Sequence, residues 1–192
     1  MTAGQAQARP AAGVVIRAAA PQDAEAISAI YAPVVVTTAI SFEESPPGPA
    51  EVSRRMLARP RLPWLVAEDS GRVAGYAYAS AHRQRAAYRW SADSSVYLDP
   101  EFRSRGLGRL LYERLIGEVA SLGYVSLFAG IALPNAASVG LHEALGFQPV
   151  GVFRHVGFKH GAWRDVGWWQ RPLRDAPPAP APDEPRAWQP GG

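Results

Sequence analysis

The chain of 192 residues contains no cysteine. That absence excludes disulfides, thiolate catalysis and cysteine-ligated zinc. No apolar run approaches the roughly 18 residues that a membrane helix requires. The N-terminal residues carry no apolar stretch of the secretory-signal kind, so a cytoplasmic protein is expected. Strong charge is lacking as well. Twenty Lys and Arg against 17 Asp and Glu leave a net charge of +3, with no basic helix or stripe suited to nucleic acid. The arginines gather instead near two loops, which fits small anionic ligands. No internal repeat is present.

What remains is a chain long enough to bury one proper core, with 47% hydrophobic residues. Residues 1–13 are rich in Ala, Gln, Gly and Pro and are expected to be a disordered tail. Residues 174–192 alternate Pro and Ala through Pro177-Pro178-Ala179-Pro180-Ala181-Pro182 and are expected to be a second, solvated tail that includes Trp188. The single domain is therefore assigned to residues 14–173.

Within it the patterning is mixed. Val14–Arg17 reads as a strand. Pro21-Gln22-Asp23 introduces a helix with Ala26, Ile27, Ile30 and Tyr31 at helical spacing. A second helix is expected near Ala50–Ala58. Trp64–Ala67 and Val73–Tyr78 read as strands joined by a turn at Ser70-Gly71. Strands follow at Val125–Ile131, Val150–Phe153 and Arg164–Trp169. The order suits an α/β (α+β) fold with a mixed, mostly antiparallel sheet flanked by helices.

The most informative segment runs from Ser94 to Leu111. A β-prone stretch through Val96, Tyr97 and Leu98 ends at Asp99-Pro100, and Arg103-Ser104-Arg105-Gly106-Leu107-Gly108-Arg109 then opens into an amphipathic helix. Free N–H groups at a helix start, together with the helix dipole, favour an anion. Two glycines allow close approach of the backbone, and three arginines suit phosphate oxygens. The run lacks the Gly-Lys-Ser/Thr ending of a P-loop and the third glycine of a dinucleotide fingerprint. A second motif, Asn135 to Phe147, reads as a helix with Asn135 as N-cap and Gly146 just past its end.

Arg103 to Gly108 matches the Arg/Gln-x-x-Gly-x-Gly/Ala pyrophosphate loop of the Gcn5-related N-acetyltransferases, and the Asn135 helix resembles the helix that closes their acetyl-CoA site. Four further stretches, His82–Trp90, Asp93–Tyr97, Leu141–Gly146 and Gly157–Gln170, are similar to the phosphinothricin/methionine-sulfone N-acetyltransferase branch. The resemblance spans Val14 to Leu173. It implies two parallel strands that splay to admit the pantetheine arm. It also implies acetyl-CoA as co-substrate, held by Val96, Tyr97, Leu98, Arg103, Ser104, Arg105, Gly106, Leu107, Gly108, Arg109 and Asn135, with no metal. Backbone N–H groups near Tyr97 and Leu98 are the implied oxyanion donors. A homodimer is implied; the aromatic-rich end with Trp163, Trp168 and Trp169 either packs as ordinary strands or forms a dimer surface that brings Lys159-His160-Gly161 near the neighbour's pocket.

Acetyl transfer to an amine needs a base, an oxyanion site and a fate for the thiolate. Asp93 stands where relatives carry Glu and is the first candidate base; its alternative is a turn-capping carboxylate. His142 stands where many relatives carry a tyrosine that protonates the thiolate. The resemblance suggests that His142 positions or deprotonates the substrate, and a structural histidine is the alternative. Arg83, Arg85 and Tyr88 are candidate clamps for a carboxylate or phosphinate, or else a solvated basic loop. Phe42 matches a pocket-lining aromatic, or packs in the core. The expected activity is direct acetylation of the α-amine of a small amino-acid analogue such as phosphinothricin, methionine sulfone or methionine sulfoximine. Other amines, a non-catalytic acyl-CoA-binding module and, distantly, a nucleic-acid-binding module are the rivals. The paired charges of Arg83 and Arg85 weigh against polyamines.

Overall fold

The computed structural model describes residues 13–175 and 180–190; the first twelve residues of the expected N-terminal tail, and residues 176–179 and 191–192 of the C-terminal one, lie outside them. The elements in chain order are β1 (Val14–Ala18), α1 (Ala24–Thr37), α2 (Pro49–Met56), β2 (Trp64–Asp69), β3 (Arg72–Ala81), β4 (Ser91–Leu98), α3 (Leu107–Ser121), β5 (Ser126–Leu133), α4 (Ala136–Ala144), β6 (Gln148–Lys159) and β7 (Ala162–Pro172). Seven strands form one sheet in the order β1-β2-β3-β4-β5-β7-β6. Every neighbouring pair is antiparallel except β4 and β5.

Alternation along the strands divides the core in two, because successive side chains point to opposite faces. On one face Leu65, Ala67, Ala77, Ala79, Ala92 and Ala129 pack with Leu111, Tyr112, Leu115 and Val119 of α3. The alanines give that helix a shallow surface on which it can sit close. On the other face Trp64, Val66 and Tyr76 meet Ile27, Ile30, Tyr31, Val34 and Val35 of α1, with Val52 and Met56 of α2. Asp23 fixes the start of α1. It accepts two bonds from Arg17, at 2.7 and 2.8 Å, and one from the Ala20 N–H.

The parallel contact is short. Ser91 pairs with Ser126, Ala92 with Leu127 and Asp93 with Phe128, and there the pairing stops. From Ser94 onward the strands part, while β5 stays zipped to β7 as far as Leu133 and Asp165. The gap is the feature that positions the site.

Two expectations need correction. The last two strands are much longer than their apolar runs, because they form a hairpin that continues past the sheet to a turn at His160 and Gly161, both left-handed. The described part of the C-terminal tail is mostly exposed, but it is anchored to the domain at Trp188 rather than free in solvent. Trp188 is 5% exposed and belongs to the α3-side core. Its N–H donates to the Arg61 carbonyl at 2.9 Å and its indole to Glu118 at 3.3 Å. The Arg186 N–H bonds the Leu122 carbonyl, the Trp90 indole bonds the Asp183 carbonyl, and Glu184 pairs with Arg89. Proline limits what such a segment loses on ordering, and one large aromatic supplies the apolar burial that holds it.

Candidate active site

The anion cradle is built by local geometry. Asp99 accepts the Glu101 N–H at 3.0 Å and starts a short turn at Pro100–Phe102. Ser104 (φ 59°) and Gly106 (φ 79°) then bend the chain twice through left-handed backbone, which aims the start of α3 along the end of β4. A Cβ on Gly108 would lie 3.4 Å from Leu141 and 3.6 Å from Leu98, in ordinary contact, so the helix start sits between β4 and α4 with room for one further carbon. The first turn of α3 leaves backbone N–H groups without helical partners. Of the three arginines expected here, two are already paired. Arg105 reaches Asp69 at 3.1 Å and lies over Phe102, and Arg109 pairs with Glu113 one turn on. Arg103 has no ion-pair partner among the described residues, and it is exposed.

The gap between the parted strands is a cleft. Ser94, Ser95, Val96 and Tyr97 of β4 form one wall and Ala129 to Ala132 of β5 the other; Ile40, Tyr112, Asn135, Ser138 and His142 complete it. Leu98 continues the β4 wall toward Gly108. Asn135 caps α4 by accepting the Ser138 N–H at 3.1 Å. Strands that no longer pair leave N–H and C=O groups facing the cleft, which suits an extended amide-bearing chain such as pantetheine.

His142 is buried on the α3 side of this cleft. One ring nitrogen, Nδ1, lies 2.7 Å from the Ser138 carbonyl, and Nε2 lies 2.8 Å from the Tyr112 hydroxyl. A carbonyl only accepts, so Nδ1 carries the proton and Nε2 accepts from Tyr112. Burial holds the imidazole below its ordinary pKa. His142 is therefore neutral near pH 7 with both nitrogens engaged. Tyr112, absent from the sequence-based site, enters through this bond.

Asp93 stands on the opposite face, at the last paired position. Its Oδ1 lies 2.6 Å from His82 Nδ1. Burial raises the carboxyl, and the His82 hydrogen bond and the Arg83 charge partly counter that. The His82 ring lies flat on Phe128 with centroids 4.3 Å apart, and meets Tyr88 and Trp168 edge-on. Arg83 bonds the His82 carbonyl at 2.9 Å and covers the Trp168 ring at 5.3 Å. Gly130 makes room for that indole, since a Cβ there would fall 3.3 Å from it. The Trp168 N–H is buried with no partner among the described residues.

Arg83, Arg85 and Tyr88 of the expected clamp line one depression, which Arg89, Glu184 and Pro185 close, and the Arg83 charge also acts on Asp93. Phe42 is 40% exposed, which rules out simple core packing; its ring lies against Gly157 of β6. The loop that carries it is pinned by Lys159, whose ammonium bonds the carbonyls of Val35, Ser41 and Glu43 at 2.7, 2.6 and 2.8 Å. His160 reaches the Thr38 carbonyl at 3.1 Å. Lys159 and His160 thus both bond carbonyls of α1 and the stretch after it in their own chain.

A sheet opened at a parallel pair, with an anion cradle at the mouth of the gap and a half-buried carboxylate at the last paired position, defines an acyl-CoA-dependent acyltransferase. A family model described as an acetyltransferase (GNAT) domain matches residues 16–168. The chain belongs to this family and is an acetyl-CoA-dependent N-acetyltransferase. Phosphinothricin N-acetyltransferase of Streptomyces viridochromogenes is 42% identical over 169 residues, covering 87% of this chain and 92% of that protein. L-Methionine sulfoximine/L-methionine sulfone acetyltransferase of Salmonella typhimurium is 37% identical over 165 residues, covering 83% and 95%. The crystal structure of a phosphinothricin acetyltransferase from Sinorhizobium meliloti in complex with acetyl-CoA has a TM-score of 0.80 at 40% identity, covering 83% of this chain and 88% of that one.

Proposed function

We propose that this acetyltransferase acts on the α-amine of a small amino-acid analogue, with phosphinothricin, methionine sulfone and methionine sulfoximine as the leading substrates. One observation carries the reading: Arg83, a guanidinium suited to a carboxylate or phosphinate, lies close enough for its charge to act on the half-buried Asp93 carboxylate, where the parallel strands part. A substrate anchored by its acid group there would present its amine to a proton acceptor and to the thioester. Arg85 and Tyr88 extend the clamp, and Phe42 closes the pocket from the β6 side.

In this reading Arg103 and the first N–H groups of α3 hold the diphosphate, and the N–H groups around Tyr97 and Leu98 hold the oxyanion. Asp93 belongs to the group that deprotonates the amine. Tyr112, whose hydroxyl donates to neutral His142, completes the α3 side of the cleft wall. Transfer is direct, since no cysteine can carry the acetyl group.

We also propose a cytoplasmic homodimer. The β6–β7 hairpin exposes Val150, Val152, Phe153, Val156, Phe158 and Trp163, an apolar surface of the kind copies of a chain bury against each other. Among the described residues no helix is long and apolar enough to cross a membrane.

The clamp is tested by steady-state kinetics of Arg83→Ala against amines with and without an acid group. A KM rise of about tenfold or more confined to the acid-bearing amines supports the reading, because a charge-assisted bond contributes about 1.5–3 kcal/mol. An equal effect on both classes contradicts it.

A further inference from the structure

The Asp93 carboxylate does not stand alone at the last paired position before the strands part. His82 lies against it, and the geometry resembles the way a carboxylate orients an imidazole that does the proton transfer. We propose that His82 Nε2, backed by Asp93, is the proton acceptor for the amine; this rests on the acetyltransfer reading above.

The 2.6 Å contact joins Nδ1 to Oδ1. An ionised carboxylate only accepts, so Nδ1 carries the hydrogen and the lone pair of the neutral ring is left on Nε2. Nε2 has no hydrogen-bond partner among the described residues. The ring cannot easily turn away from this arrangement. It is stacked on Phe128, edged by Tyr88 and Trp168, and its side chain is 10% exposed. Beside it the buried Trp168 N–H lacks a partner, as expected of a wall that meets a polar ligand.

His142, the other imidazole, is unsuited to the task, because Ser138 and Tyr112 occupy both of its nitrogens on the far face of the sheet. The groups packed around His82 are few. Asp93 comes from β4, Arg83 from the same loop and Tyr88 from the turn that follows, while Phe128 of β5 and Trp168 of β7 carry no charge. Imidazole is the side chain suited to taking a proton near neutrality.

One ammonium N–H bond breaks, its electron pair stays on nitrogen, and the proton goes to Nε2. The amine lone pair forms the C–N bond at the thioester carbonyl. The C–S bond then breaks and its electrons leave on sulfur. Of the two protons lost by nitrogen, one ends on sulfur and His82 returns the other to solvent.

His82→Asn is the discriminating variant. Its amide nitrogen can donate to Asp93 from nearly the position of Nδ1, which preserves any orienting bond and removes Nε2. The expected result is a fall in kcat/KM for the amine of about 100-fold, the low end of general-base effects, with acetyl-CoA affinity unchanged. Added imidazole should restore part of the rate in His82→Gly, whose vacated slot against Phe128 is the size of the ring. Near wild-type turnover of His82→Asn, with an unshifted pH profile, overturns the proposal and leaves His82 as a positioning residue at most. Nitrogen NMR of the unliganded protein gives a readout that needs no turnover. His82 protonated at Nδ1, with that preference lost in Asp93→Asn, supports the dyad; protonation at Nε2 overturns it. Wild-type protein that releases no CoA with any amine would instead count against the substrate reading, which the NMR result leaves separate.

Discussion

The ring of Phe42 rests on the backbone of Gly157, so closely that a Cβ at Gly157 would fall 2.3 Å from Phe42 Cε2. A loop residue after α1 and a residue of β6 more than a hundred positions later are thereby made into one wall. Lys159, two residues beyond Gly157, pins the same loop through three carbonyls. Gly157→Ala should push the Phe42 ring aside at a cost of about 1–3 kcal/mol, as overpacking does. The account expects a raised KM for the amine with acetyl-CoA affinity intact, measured by steady-state kinetics and calorimetry.

Gly108 separates two effects. Its added Cβ would make ordinary contacts with Leu141 and Leu98, so Gly108→Ala should bind acetyl-CoA nearly as well as wild type. The branched side chain of Gly108→Val should weaken binding at least tenfold while Tm changes little. Unchanged affinity in the valine variant, read by calorimetry, would remove the cradle assignment.

Asp93→Asn removes the carboxylate and keeps its shape. Turnover should fall with little change in acetyl-CoA affinity. Because burial raises the Asp93 carboxyl, with His82 and Arg83 opposing it, the acid limb of kcat/KM should not sit at the low pH of an exposed aspartate. Full activity of the variant across neutral pH would exclude Asp93 from proton transfer.

Glu43 lies between Arg55 and Tyr31, and the Arg55 guanidinium holds its carboxyl below the usual range. A depressed folded-state pKa contributes stability above the unfolded-state value of about 4.3 and loses it as pH falls through the lower, folded value. Arg55→Met should therefore be destabilised at pH 7, and its Tm difference from wild type should close as the pH is lowered below 4. Partial exposure of both groups keeps the effect modest.

Trp188→Ala should lower stability by about 3–5 kcal/mol, the cost of emptying a large aromatic site. Thermal unfolding measures it directly. Truncation after Asp175 should show the same loss and should also loosen the Arg89–Trp90 end of the substrate loop, which the segment holds through Asp183 and Glu184.

What was legible in the sequence was local. The cradle needs only a strand, a turn and a helix start that are contiguous, and the Asn135 cap needs only a three-residue reach. Asp93 was visible for the same reason, standing at the head of the cofactor strand. His82 lies in the stretch His82–Trp90, whose sequence alone assigns it no role. Its meeting with Asp93 follows from cross-strand register, since Ser80 pairs with Asp93 and residue 82 shares their face. Tyr112 and His142 come from different helices, and only their packing on one sheet face joins them. The anchoring role of Lys159 was not legible because its three acceptors are backbone carbonyls more than a hundred residues away. Trp188 was hidden by its proline-rich setting, which reports local stiffness and says nothing of what lies alongside.

The most direct measurement is CoA release from acetyl-CoA with phosphinothricin, methionine sulfone, methionine sulfoximine, methionine and spermidine in parallel. The account predicts rapid release with at least one of the first three and little with spermidine. Release only with methionine or spermidine would contradict the substrate reading while leaving the enzyme class in place.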